Sequence, residues 1–268
     1  MATTIERKQA HWRGETWSWF EAGQGEEALC LLHGGGGTGK AWLHQMEYFH
    51  DQYRVICPDL PGFGQSSYLK GFDSPDALGG IILEWMASLG ITEFILGGNS
   101  MGGRVALSTA LKAPERIRAL LLLNAVGITL EDVPIVNPLS LPPEQFMSGL
   151  VYDRENYKRN TPYRTLEDAK ELNHGRTVFA QYVQNTPIGA DPSWDLKKIA
   201  CPTLLLWGRH DHIIPVPYGR AMAKILPHAE LLVIEDCGHL PHIEEPAITN
   251  ATIQDFLSRQ LGAPTPHR

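Results

Sequence analysis

Residues 92–111 read TEFILGGNSMGGRVALSTAL, and the change of period inside this stretch decides the fold. TEFIL is a short apolar run rich in strand-forming residues, whereas MGGRVALSTAL spaces its apolar positions as a helix does. Between them Gly98-Asn99-Ser100-Met101-Gly102 forms G-x-S-x-G, so a strand must turn sharply into a helix. A serine at such a corner takes a strained backbone geometry, and glycines at 98 and 102 remove Cβ atoms that would strike the crossing chain. A serine acting only as a helix cap would need no glycine on either side. Ser100 is therefore read as a nucleophile at the carboxyl end of a strand.

The same alternation continues outward. ALCLLHG, YRVICPDL, IRALLLLNA, CPTLLLWGR and AELLVIEDCG are strand-like runs, several of them apolar almost throughout, as strands buried on both faces of a parallel sheet are. Helical patterns fall between them at 40–49, 74–89, 101–112, 216–226 and 246–257, and a hairpin is expected at roughly 9–22. Right-handed crossovers then give an α/β fold, a doubly wound and mostly parallel sheet of about eight strands. The rhythm breaks where VPIVNPLSLPPEQF introduces a proline-rich stretch followed by strandless helical patterns. The expected organisation is a core of 1–126 and 199–268, with 127–198 inserted as a helical lid over the strand carboxyl ends.

A serine hydroxyl needs a base, and that base needs a partner that fixes its tautomer. WGRHDHIIP puts Asp211 just after one apolar run, and EDCGHLPHIEEP puts His239 just after another. Both fall at strand carboxyl ends, on the edge that carries Ser100, in the chain order Ser, Asp, His. Rivals are close: His210, His212 and His242 for the base, Asp236 beside it, and Glu131 or Asp132 for the carboxylate. Gly238 favours His239, because it frees the loop to turn the imidazole inward.

HGGGGTGKAW, residues 33–42, resembles a phosphate-binding loop, but Ala41 stands where a hydroxyl must ligate Mg²⁺. Its glycines serve better as an oxyanion hole, with the backbone N–H of Gly35 or Gly36 and that of Met101 aimed at a developing alkoxide. Lys40 is then a solvated first-turn residue. No cofactor and no metal are called for.

The chain has 268 residues, 43% of them hydrophobic, enough for a sizeable core. Lys+Arg 23 against Asp+Glu 30 gives −7, which argues against a nucleic-acid or anionic-membrane partner. No signal-like segment and no apolar run of ~18 residues is present, so a cytoplasmic location is expected. Cys30, Cys57, Cys201 and Cys237 show no paired spacing and read as buried free thiols. The oligomeric state stays open, with a homodimer among the options.

Together HGGGG, CPDLPGFGQS, GNSMGG, WGRHD and GHLPHIEEP resemble the α/β-hydrolase superfamily over nearly the whole chain. Within it, GNSMGG after HGGGG is similar to the meta-cleavage-product hydrolases, which cleave a carbon–carbon bond in vinylogous 1,5-diketones. That resemblance implies Trp directly after the catalytic histidine, where this chain has Leu240, and Trp-Ser-Asn after the glycine loop, where it has Trp42-Leu43-His44. It also implies a lid arginine that grips a carboxylate, for which Arg176 is the candidate. On these departures the expected substrate is a carboxylic ester, lactones included, cleaved through an acyl-enzyme. Carbon–carbon hydrolysis is the alternative, and a non-catalytic small-molecule receptor on the same fold the second alternative. Phe146, Met147, Leu150, Arg176, Phe179, Tyr182 and Leu240 are the expected pocket lining.

Overall fold

In the computed structural model, which describes residues 4–185 and 194–262, each apolar run becomes a strand. These are β3 (Ala28–Leu32), β4 (Arg54–Pro58), β5 (Phe94–Asn99), β6 (Ile117–Leu123), β7 (Thr203–Gly208) and β8 (Ala229–Ile234). The hairpin supplies β1 (Glu6–Trp12) and β2 (Glu15–Ala22). The sheet order is β1-β2-β4-β3-β5-β6-β7-β8; β2 runs antiparallel to both of its neighbours, β1 and β4, and the remaining pairs are parallel. The ends expected at 1–3 and 263–268, and part of the expected insertion at 186–193, lie outside the described residues.

Because side chains alternate across a strand, each central strand feeds two layers. Cys30, Leu32, Leu120 and Leu122 pack toward α2 (Pro75–Ser88) and α3 (Met101–Lys112), against Leu78, Ile82, Val105 and Leu107. Leu29, Leu31, Leu121 and Leu123 face the opposite layer, where α1 (Leu43–Phe49) and α9 (Pro246–Leu261) present Met46, Phe49, Ile253 and Phe256. Full burial of such a side chain stabilises by roughly 1.5–3 kcal/mol. α2 starts where Ser74 accepts from the N–H of Ala77, a cap worth ~1 kcal/mol, followed by Pro75. Arg104 of α3 donates to both carboxylate oxygens of Asp76 at 2.7 Å and ties these helices together.

Between β6 and β7 lie α4 (Pro143–Leu150), α5 (Arg154–Asn160) and α6 (Leu166–Asn185), with no strand among the described residues there. α7 (Pro217–Ile225) follows β7, and α8 (Pro241–Glu244) follows β8. Two ion-pair systems fix α6 to β1 and to the glycine loop's 3₁₀ turn. Arg7 reaches Asp59 at 2.6 Å and Glu171 at 2.7 Å, and Lys40 reaches Asp168 at 2.6 Å. Lys40 is thus not the solvated residue expected: its partner on α6 leaves it only 24% exposed.

Other differences are local. β1 begins at Glu6 rather than near residue 9, because it is an edge strand whose charged residues hide the strand pattern. The helix expected from Lys40 splits into a 3₁₀ turn over Gly39–Trp42 and then α1; a Cβ on Gly39 would lie 2.1 Å from the Cys57 carbonyl oxygen. Cys30, Cys57 and Cys237 are buried free thiols, whereas Cys201 is only half-buried. Among the described residues no helix is long and apolar enough to cross a membrane, and no cluster of three or more His, Cys, Asp or Glu could hold a metal ion.

Candidate active site

The parallel strands deliver His33, Ser100, Asn124, Asp211 and His239 to one edge of the sheet, each on the loop after its strand. Ser100 joins β5 to α3 with φ 55° and ψ −116°, a conformation that costs of order 1–3 kcal/mol for a residue with a Cβ. Its own N–H donates to the Leu123 carbonyl at 3.0 Å, anchoring the corner to β6. The space the corner needs comes from glycines. A Cβ on Gly98 would lie 2.3 Å from Gly102 O, one on Gly102 2.3 Å from Leu32 O, and one on Gly103 2.4 Å from Ala125 Cβ. The third of these was not singled out in the sequence.

Asp211 lies 2.8 Å from His239 through Oδ2 and Nδ1, and both side chains are almost fully buried. Asp211 Oδ1 accepts from the N–H of Ile213 at 2.8 Å and of Ile214 at 2.9 Å, while Asn124 Nδ2 donates to Oδ2 at 2.5 Å. Such donors fix the direction of the carboxylate. Glu131, Asp132 and Asp236 make no hydrogen bond to His239 among the described residues, and His210 instead stacks on Tyr152. With Nδ1 held by Asp211, Nε2 is the nitrogen left for the cavity that His239 shares with Ser100. No direct hydrogen bond joins the Ser100 hydroxyl to His239 among the described residues; such contacts are commonly long in unliganded enzymes and tighten around substrate.

The His239 loop is held from several sides. Its N–H donates to Leu150 O at 2.7 Å, and its carbonyl accepts from Asn99 Nδ2 at 3.0 Å. The buried Glu244 carboxylate accepts from the N–H groups of Gly238, Leu240 and Tyr152, the last at 2.7 Å. Burial pushes that carboxyl above its ordinary range, while these hydrogen bonds work against the rise. Asn99, Asn124 and Glu244 were missed as site residues, because only tertiary contacts reveal what they hold.

The glycine loop beside Ser100 is aimed by His33. Its Nδ1 donates to Gly34 O at 2.8 Å, and its Nε2 accepts from Leu60 N–H at 3.0 Å. Desolvation lowers its pKa, consistent with a neutral ring. The N–H groups of Gly35, Gly36 and Met101 take part in no hydrogen bond among the described residues, and all three residues line the cavity. Gly35 has no room for a side chain, since a Cβ would meet the Phe179 ring at 2.4 Å. Gly36 has φ +83°.

The cavity has a volume of about 170 Å³, and Phe146, Met147, Leu150, Arg176, Phe179, Tyr182 and Leu240 all line it. Their characters differ. The Tyr182 hydroxyl is committed to the carbonyls of Pro61 and Phe72, so that residue chiefly packs the insertion. The Arg176 guanidinium lies 4.6 Å from the Phe146 ring centre and is paired with no carboxylate among the described residues.

The sequence profile of the Alpha/beta hydrolase family matches residues 31–252, and the chain belongs to that family. A 2-hydroxy-6-oxononadienedioate/2-hydroxy-6-oxononatrienedioate hydrolase of Burkholderia vietnamiensis is 30% identical, over 89% of this chain and 90% of its own. A 2-hydroxy-6-oxo-6-phenylhexa-2,4-dienoate hydrolase of Burkholderia cepacia is also 30% identical, with the same coverage. The solved structure of the 2-hydroxy-6-oxo-6-phenylhexa-2,4-dienoate hydrolase of Rhodococcus sp. strain RHA1 superposes with a TM-score of 0.80 at 25% identity, covering 95% of this chain and 99% of that one. These relatives overturn the expectation of an ester or lactone substrate. That expectation rested on Leu240 standing where Trp was implied and on Leu43-His44 standing for Ser-Asn, yet Arg176 keeps a cation on the cavity wall.

Proposed function

We propose that this alpha/beta hydrolase cleaves a carbon–carbon bond in vinylogous diketone acids of the 2-hydroxy-6-oxo-dienoate type, with Ser100, His239 and Asp211 as its catalytic residues. The observation that carries the reading is the set of relatives named for that reaction, 30% identical over about nine-tenths of both chains. Arg176 supports it by offering the cavity a guanidinium without a carboxylate partner among the described residues, the group a dienoate acid needs. The helices of 127–198 act in this reading as a lid that excludes water.

The chemistry follows from the bond to be broken. A carbon leaving group needs an electron sink, so the 2-hydroxydiene first becomes a 2-oxo-3-ene: the hydroxyl loses its proton and C5 gains one. Ser100 Oγ then attacks the C6 ketone as its proton passes to His239 Nε2, and Asp211 stabilises the imidazolium. The oxyanion on the C6 oxygen accepts from Met101 N–H and from Gly35 or Gly36 N–H. Collapse breaks C5–C6, and the electron pair is delocalised through C3=C4 onto the 2-oxygen, which takes the proton held by His239. Water, deprotonated by His239, attacks the Ser100 ester, releases the carboxylic acid and restores the hydroxyl. One water is consumed, and a carboxylic acid and a 2-hydroxypentadienoate are formed.

The test is a comparison of kcat/KM for 2-hydroxy-6-oxo-6-phenylhexa-2,4-dienoate and for phenyl acetate. The dienoate is expected to exceed the ester at least ~100-fold. Fast ester cleavage with the dienoate left intact would overturn the reading.

A further inference from the structure

One buried polar ring borders the cavity without a part in the reaction above. His242, on α8, is 1% exposed and lines the cavity together with Tyr157, Tyr163 and Leu240. Its ring stacks on Trp42, with centres 4.3 Å apart and planes 30° off parallel. Its backbone is pinned, because Gln45 Nε2 donates to the His242 carbonyl at 3.2 Å. Its ring is not: Nδ1 is buried and has no hydrogen-bond partner among the described residues. Two atoms on the elements packed against it, Trp42 Nε1 and Gln45 Oε1, also lack partners among those residues. Neighbouring polar groups are committed. The Tyr163 hydroxyl meets Thr38, and His44 Nε2 meets the Asn160 carbonyl at 2.6 Å.

A polar atom so placed gives up its hydration on folding and recovers nothing unless another group restores the hydrogen bond. Nδ1 itself is sealed from the cavity, so the ring atom a ligand can meet is Nε2, which takes part in no hydrogen bond among the described residues and is not among the sealed atoms. We infer that His242 forms the hydrogen-bonding wall of a substrate subsite that takes an uncharged oxygen substituent, a keto or enol oxygen, on the acid being cleaved. Naming that oxygen as the one at C2 rests on the carbon–carbon hydrolase reading.

The subsite is uncharged for a physical reason. Burial pushes the His242 imidazole down to about 3, and the neighbouring His239 and His44 add to the effect, so the ring is neutral at pH 7. A neutral imidazole offers one N–H and one lone pair, which an oxygen of the keto or enol kind can engage. Trp42, Leu240 and Ile243 provide no counter-charge, and a carboxylate placed among them would lose its hydration without an ion partner. Two neighbouring groups of one acid are therefore read by different side chains: its charge by Arg176, its uncharged oxygen by His242.

Calorimetric binding of 2-oxopentanoate and of pentanoate tests this without any turnover. The unaltered chain is expected to bind the 2-oxo acid about tenfold more tightly, a preference that His242→Leu abolishes with pentanoate affinity unchanged and His242→Gln partly restores. In the unaltered chain labelled with ¹⁵N-histidine, the His242 ring signals are expected to move with 2-oxopentanoate and to stay in place with pentanoate. A preference that survives His242→Leu, an equal loss for both acids, or a ring indifferent to the 2-oxo acid would overturn the inference. Dienoate turnover is scored separately. A chain that keeps the 2-oxo preference but leaves the dienoate intact loses the reaction and keeps the subsite; the reverse pattern loses only the subsite.

Discussion

His239 Nδ1 and Asp211 Oδ2 are 2.8 Å apart, and the carboxylate in that contact also receives Asn124 Nδ2 and the N–H groups of Ile213 and Ile214. The aspartate is thus fixed by the loop after β6 and by its own loop before it meets the imidazole. Asp211→Asn keeps the shape but presents the wrong tautomer to the ring. Its kcat is expected to fall about 10⁴-fold with little change in melting temperature. Steady-state kinetics beside thermal melting checks this, and a loss that tracks unfolding instead would mark Asp211 as structural.

Gly35 faces a ring rather than open space. Gly35→Ala must displace Phe179 or shift the loop, and either change moves an N–H away from the developing alkoxide. We expect kcat to fall roughly 10²–10³-fold. Gly37→Ala is the control, since a Cβ there meets its nearest atom at an ordinary 3.4 Å. It should stay within about threefold of the unaltered rate.

Arg176→Gln removes the cation from the cavity wall and leaves the Ser100 corner untouched. KM for the dienoate is expected to rise about 10–100-fold with kcat nearly constant, while a neutral ester shows no change. Equal effects on both substrates would show that Arg176 shapes the insertion rather than reading a carboxylate.

The ion pair between Lys40 and Asp168 makes the seating of α6 sensitive to acid. Desolvation would raise the Asp168 carboxyl, but Lys40 and the N–H groups of Thr165 and Arg164 outweigh it and hold the pKa at about 2, against an ordinary 3.8. A carboxyl with a lowered folded-state pKa contributes stability in full above its unfolded value and loses it as pH falls through the folded one. Asp168→Asn should therefore cost about 1–2 kcal/mol at pH 7, a gap that narrows between about pH 4 and pH 2. Denaturant unfolding of both chains at several pH values measures it.

How much of this was legible follows from where the information lies. β3, β5, β6 and β7 stand out as continuous apolar runs because helices cover both faces of the sheet, and G-x-S-x-G marks a corner whose crowding is local. Asp211 and His239 could be placed because strand ends in a parallel sheet share an edge. Other parts depend on contacts between distant positions, which leave no trace in spacing. Lys40 looked solvated because its partner is 128 residues away, and Asn99 reaches the His239 carbonyl across 140. Asn124 is an ordinary residue after a strand until its φ of 46° turns its amide onto Asp211. The substrate was misjudged because absent motif residues were weighed above Arg176, which the sequence already offered and which lines the cavity.

The central claim is that Ser100 opens the C6 ketone of a dienoate acid, and its most direct measurement is the loss of dienoate absorbance with the unaltered chain and with Ser100→Ala. The unaltered chain should convert 2-hydroxy-6-oxo-6-phenylhexa-2,4-dienoate to benzoate and 2-hydroxypentadienoate, with the variant slower by at least ~10⁴-fold. A variant within tenfold of the unaltered rate, or no benzoate from either chain, would contradict the account.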